Sequence, residues 1–214
     1  MKDIFKLAFA LMCFAAAACV GLAFVYASTE ERIAVNQAAK LDTALKDIFG
    51  GDAVFEEIAE PLAGAGDAVA FGSAYRAKKG SALAGIALNV SSQGFNDTIT
   101  ALVGVGADGK IAGVRILKNT DTPGLGANAG SPSYFVDKPE NTKTFYGQFA
   151  GMAADGSIRV TKDGGQVEAI TAATITSRAV SMLVNSAGDA GRKWLDSQPG
   201  SRTDSRTDSW KEVK

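Results

Sequence analysis

The sequence predicts an α+β protein: a single N-terminal transmembrane helix, then one domain with a mainly antiparallel sheet and flanking helices. Three observations lead there. Leu7 to Ala27 is an apolar run without a charged residue. Thr98–Val105 and Ile111–Leu117 are β-rich stretches on either side of an Asp108-Gly109 turn signal. Val180, Leu183, Val184, Ala187, Gly191 and Trp194 recur at spacings of three and four, which is one face of a helix.

The apolar run comes first. At about 1.5 Å per residue it reaches roughly 30 Å, the thickness of a bilayer's hydrocarbon core. Lys2 and Lys6 precede it, and Glu30, Glu31 and Arg32 follow. The positive flank stays in the cytoplasm, so the bulk of the chain is expected outside, in the periplasm of a bacterium. The expected location is the bacterial inner membrane, crossed once. A cleaved signal peptide is the competing reading, with Val25 and Ala27 at the −3 and −1 positions. The run exceeds the usual 7–15-residue signal core, which favours a retained anchor.

Four regions follow from composition and pattern: an anchor over 1–28, a helix and strands over 29–92, a domain over 93–196 and a polar tail over 197–214. Ser28–Phe49 reads as a helix ended by Gly50 and Gly51. Val69–Arg76 and Gly85–Val90 read as strands linked through Lys78, Lys79 and Gly80. In Thr98–Val105, Ile99, Ala101, Val103 and Val105 alternate onto one face. Gly104, Gly106 and Gly109 match GxGxxG, but a strand follows where a dinucleotide site needs a helix, so the nucleotide reading is rejected. Asn119–Pro132 is loop-rich. Ser157–Val160 and Gln166–Ile170 read as a second hairpin turning at Asp163-Gly164-Gly165. The tail contains SRTDSRTDS and is expected to be disordered.

Composition closes off several functions. The net charge is −1, from 22 basic and 23 acidic residues, with no basic patch for nucleic acid. Histidine is absent. That removes Ser-His-Asp catalysis, His-based zinc sites and CxxCH haem attachment. Cys13 and Cys19, the two cysteines, both lie in the apolar run. No metal site is expected. Redox chemistry in this chain therefore requires an organic cofactor.

Thr171-Ala172-Ala173-Thr174-Ile175-Thr176-Ser177 crowds hydroxyls at the junction between the last strand and the last helix. One reading is a helix cap, with a hydroxyl accepting a backbone N–H. The other is a seat for phosphate, because a helix start presents unpaired amides and a partial positive charge. Upstream, Asp121-Thr122-Pro123-Gly124-Leu125-Gly126 sets a tight Pro-Gly turn with exposed amides.

TAATITSRAV resembles the flavinylation motif of the FMN-binding domain family: Ser or Thr, Gly, Ala, then Thr or Ser. In that family a flavin transferase joins FMN through its phosphate to the hydroxyl of the final residue. By that match Thr174 is the acceptor, flanked by Thr171, Ala173, Ile175, Thr176 and Ser177. The sequence departs at Ala172, where the family has glycine. Asp121–Gly126 resembles the family's acidic-TPGLG loop, and the match implies that Thr122, Gly124, Leu125 and Gly126 belong to the FMN site, with Thr122 and Leu125 against the flavin. With the anchor and short length, the chain resembles the G subunits of Rnf ion-translocating electron-transport complexes. C subunits of the sodium-pumping NADH:quinone reductase are near relatives and usually longer.

The resemblance implies a covalent-FMN electron carrier with no independent catalytic residues. It would work beside other subunits of a membrane complex that moves electrons between ferredoxin and NAD, coupled to sodium or proton movement. The alternatives are the quinone-reductase subunit and a non-redox, membrane-anchored binding or scaffold protein in which Thr174 is only a cap.

Overall fold

A computed structural model of the chain describes residues 2–59, 62, 68–137 and 139–198. Most of the predicted tail lies outside the described residues, as does a turn the glycines predict at Gly64–Gly66.

Helix α1 (Lys2–Phe49) is continuous. Near the end of its apolar run, Ser28 Oγ donates to the Phe24 carbonyl at 2.7 Å and Thr29 Oγ1 to the Val25 carbonyl at 2.9 Å. These hydroxyls satisfy themselves on the helix and do not break it. Among the described residues, α1 is the helix long and apolar enough to cross a membrane. The chain divides into two compact units, one ending at Asp42 and one starting at Thr43.

The second unit is built on one antiparallel sheet of five strands in sequential order. They are β1 (Val54–Ile58), β2 (Ala70–Lys79), β3 (Ala82–Gln93), β4 (Thr98–Gly106) and β5 (Ile111–Lys118). The β4–β5 hairpin forms as expected, with Gly109 N–H donating to the Gly106 carbonyl at 2.9 Å and Gly109 in a left-handed conformation, φ +76°. Ile99, Ala101, Val103 and Val105 are fully buried in one core. Helix α2 (Thr174–Ser197) covers that face with Val180, Leu183, Val184, Ala187 and Trp194. Gly191 lets it approach: a Cβ there would sit 2.7 Å from Val105 Cγ2.

The opposite face of the sheet is also covered. Ala44, Leu45 and Phe49, from the last turns of α1, are buried with Leu102 and Ala87. Ile48 and Phe49 lie where Cβ atoms on Gly104 and Gly85 would stand. The glycines of the GxGxxG stretch thus serve packing and a turn, in agreement with rejecting a nucleotide site.

One strand goes beyond the expectations and one expected hairpin fails. Strand β1 was not anticipated: Glu56 and Glu57 obscure its apolar pattern. It pairs antiparallel with β2, where Glu56 lies across from Arg76 and its carboxylate accepts from Lys78 at 2.8 Å. The second hairpin does not form. Ser157–Ile170 instead closes on a 3₁₀ turn at Thr161–Asp163, a left-handed Gly164 and a single parallel bridge between Val160 and Val167. The backbone of Gly165 lies directly against the Arg159 carbonyl, leaving no room for a Cβ. That crossing replaces an antiparallel ladder.

Candidate flavin site

Three segments converge beside the start of α2: the β3–β4 turn, the 119–126 loop and residues 172–176. They enclose a cleft of about 320 Å³, lined by Phe95, Asp121, Thr122, Leu125, Gly126 and residues 172–176. The size lies at the lower end of small-molecule sites.

Asp121 ties the segments together. Its side chain is buried, 3% exposed. It accepts hydrogen bonds from Asn96 N–H at 2.8 Å and Thr176 Oγ1 at 2.7 Å, with Phe95 N–H at 3.5 Å. A buried carboxylate is tolerated only when its oxygens are hydrogen-bonded, and here the donors come from two other segments. Gly126 makes the approach sterically feasible: a Cβ there would stand 2.5 Å from Thr176 Oγ1 and 2.8 Å from Asp121 Oδ2. Gly124 holds the loop's left-handed position at φ +76°.

The hydroxyls of the acceptor segment divide sharply. Thr176 Oγ1 is committed to Asp121. Ser177 Oγ is buried, accepting from Ile170 N–H at 2.9 Å and donating to the Ala173 carbonyl at 2.9 Å. Thr171 is exposed, and its N–H donates to Tyr134 Oη at 3.2 Å. Thr174 is the hydroxyl residue among these that lines the cleft without a buried bond. It is half-buried, and its contact is Lys162 Nζ at 3.4 Å.

The capping alternative is not realised in the structure. The N-cap position of α2 is Ala173, and no side chain caps the helix. The first helical bond runs from Ser177 N–H to the Ala173 carbonyl. The amides of Thr174, Ile175 and Thr176 therefore have no intrahelical partner, which is the condition for anion binding.

Ala172, at the family's glycine position, takes φ +59°. The turn into α2 is left-handed whether or not glycine supplies it, and alanine bears the strain.

Of the predicted site residues, Thr122, Leu125, Gly126, Ala173, Thr174, Ile175 and Thr176 meet in the cleft; Gly124, Thr171 and Ser177 support it from outside its lining. Sequence reading missed Phe95 as a lining residue. An aromatic directly after Gly94 at a strand end was the available signal. It missed Lys162 entirely. The rim is apolar: Phe95, Leu125 and Ile175 are 63%, 39% and 54% exposed. An apolar rim around a hydroxyl and free amides suits a ligand that joins a flat aromatic body to a phosphate.

Comparison with known proteins agrees. Residues 94–189 match the FMN-binding domain family and residues 1–48 match the RnfG N-terminal region. The G subunit of the ion-translocating oxidoreductase complex of Methanosarcina acetivorans is 33% identical, over 88% of this chain and 94% of its own length. The chain belongs to the family of G subunits of ion-translocating oxidoreductase complexes. Two other members show how far the family ranges. The G subunit of the proton-translocating ferredoxin:NAD(+) oxidoreductase complex of Clostridium ljungdahlii is 37% identical over 53% of this chain and 56% of its own. The Na(+)-translocating counterpart of Acetobacterium woodii is 36% identical over 44% and 42%. Relatives named for different ions are thus about equally similar to this chain.

Proposed function

We propose that this chain is the membrane-anchored, FMN-carrying electron-transfer subunit of an Rnf-type ferredoxin:NAD oxidoreductase complex, with FMN joined by a phosphoester to Thr174. The observation that carries the acceptor assignment is the division of hydroxyls. Thr176 and Ser177 are engaged in buried bonds, whereas Thr174 opens into the cleft at an uncapped helix start.

Bound FMN would supply one- and two-electron chemistry. The chain's own residues bind and orient. Thr174 would anchor the phosphate end, the amides of the first turn of α2 would offset its charge, and Thr122, Leu125, Ile175 and Phe95 would hold the ring. Asp121 holds the loop and the helix start in register. No acidic or basic residue lies between Leu7 and Ala27, so α1 anchors the cofactor and offers no ion path. Electrons and ions pass through neighbouring subunits.

The lysines before the apolar run support an external, periplasmic domain. The family match over residues 1–48 takes in the whole apolar run, which supports a retained anchor. A flavin transferase would install the cofactor.

The test is direct. The full chain is expressed with a flavin transferase, denatured on a gel and viewed under ultraviolet light. The wild-type band should fluoresce, and Thr174→Ala should be dark but folded. A fluorescent Thr174→Ala band moves the acceptor elsewhere. A dark wild-type band removes the covalent-flavin reading, and absorbance of the native protein then separates a non-covalent flavoprotein from a non-redox scaffold.

A further inference from the structure

We propose that Lys162 is the cation that pairs with the phosphoester anion on Thr174; this rests on the acceptor assignment above. A phosphodiester carries a negative charge at neutral pH, and the orphan amides of a helix start offset it only in part. A nearby ammonium provides a full opposite charge.

The surroundings of Thr174 single out one residue. Lys162 Nζ lies 3.4 Å from Thr174 Oγ1. That is long for a hydrogen bond to a hydroxyl, but phosphoryl oxygens would project beyond Oγ1 and bring acceptors within reach. Among the described residues, the Lys162 ammonium has no ion-pair partner. Arg178, one turn further along α2, is already occupied: its Nη2 and Nε donate to Asp163 Oδ1 and Oδ2 at 2.6 and 2.8 Å.

That occupied pair explains why Lys162 is where it is. Asp163 is the next residue in the chain, and its two-pronged contact fixes the Thr161–Asp163 turn to the first turns of α2. Gly164 closes the turn in a left-handed conformation at φ +79°. The loop that replaced the expected hairpin thus delivers a lysine to the acceptor. Arg178 and Asp163 are positioning residues in this scheme, and Lys162 touches the ester itself.

The experiment compares two preparations of the full wild-type chain in detergent, one made with a flavin transferase and one without. An amine-reactive acetylating ester labels the lysines, and peptide mass spectrometry follows Lys162, with exposed Lys110 as internal reference. An ammonium paired with an anion about 4 Å away should label roughly fivefold more slowly in the flavinylated chain at low salt. The difference should shrink at about 1 M salt, where screening reaches about 3 Å. Equal labelling in the two preparations overturns the proposal. So does protection that salt leaves unchanged, because the flavin would then only be covering the amine. A chain that the transferase does not make fluorescent refutes the acceptor assignment instead, and the gel separates that outcome from the others.

Discussion

The β4–β5 hairpin and the 121–126 loop both place glycines two residues apart. In the β4–β5 hairpin, Gly104 and Gly106 sit in a strand, and the space above Gly104 is filled by Ile48 and Phe49. In the 121–126 loop, Gly124 turns the chain and Gly126 admits a buried carboxylate and a threonine hydroxyl. Gly104 and Gly126 are each required by close approach, but what approaches differs. Apolar side chains close over the first and leave a sealed core. Polar groups meet at the second and leave an opening beside them. Glycine spacing therefore says that something comes near the backbone; the polarity of what comes near separates a site from a seam.

The most severe way to break this contrast is at Asp121. Asp121→Ala removes the acceptor for the buried Thr176 Oγ1 and for Asn96 N–H at the surface. It should cost about 2–3 kcal/mol in urea or thermal denaturation. Attachment of flavin at Thr174 should fall further than the loss of folded protein explains, since the cleft loses the group that joins its walls. Unchanged stability would mean that the three segments hold together without the carboxylate.

A paired substitution sharpens the comparison itself. Gly104→Ala drives a Cβ into Ile48, and Gly126→Ala drives one into Thr176 and Asp121. Each overpacks by roughly 1–3 kcal/mol. Compared at temperatures where both are equally folded, Gly126→Ala should show the larger drop in gel fluorescence, with Gly104→Ala near wild type. Equal drops would show that the two glycines serve the site alike.

How much of this was readable in advance depends on how far apart the partners lie in the chain. The β4–β5 hairpin and the buried face of α2 were legible because alternation, an Asp-Gly turn and three-four spacing are local signals. Strand β1 was hidden because the cations that offset Glu56 belong to β2, across 22 residues in the case of Lys78. The cleft followed the same rule. Thr174 and the 121–126 loop could be read from motifs. The bond from Thr176 to Asp121 spans 55 residues, and nothing local to Lys162 points to Thr174. The hydroxyl cap is also absent: Thr176 Oγ1 is held by the distant Asp121, Ser177 Oγ bonds to Ile170 and Ala173 beside it, and alanine stands at the cap.

Ala172 provides a smaller test with the opposite sign. A left-handed alanine is strained by about 1–2 kcal/mol, part of which glycine returns as added freedom of the unfolded chain. Ala172→Gly should therefore stabilise the domain by about 1 kcal/mol and leave flavin attachment intact. A loss of stability would mean that the alanine methyl makes a favourable contact outweighing the strain.

The smallest effect concerns the Asp163–Arg178 clamp. The hydrogen bond from Arg178 is the main cause holding the Asp163 carboxyl below its ordinary value of 3.8, with the charges of Arg178 and Arg159 adding to it against partial desolvation. A carboxyl whose value is depressed by folding stabilises the fold fully above its ordinary value. That contribution disappears as pH falls through the lower, folded value. The pair is solvent-exposed, so its effect on stability is small and screened by salt. Thermal unfolding of wild type and Asp163→Asn should accordingly differ by a constant small gap from neutral pH down to about pH 4, and the gap should close only in stronger acid. A gap that closed already near pH 6 would mean that another group sets it, and that the turn bearing Lys162 is held to α2 by something other than this ion pair.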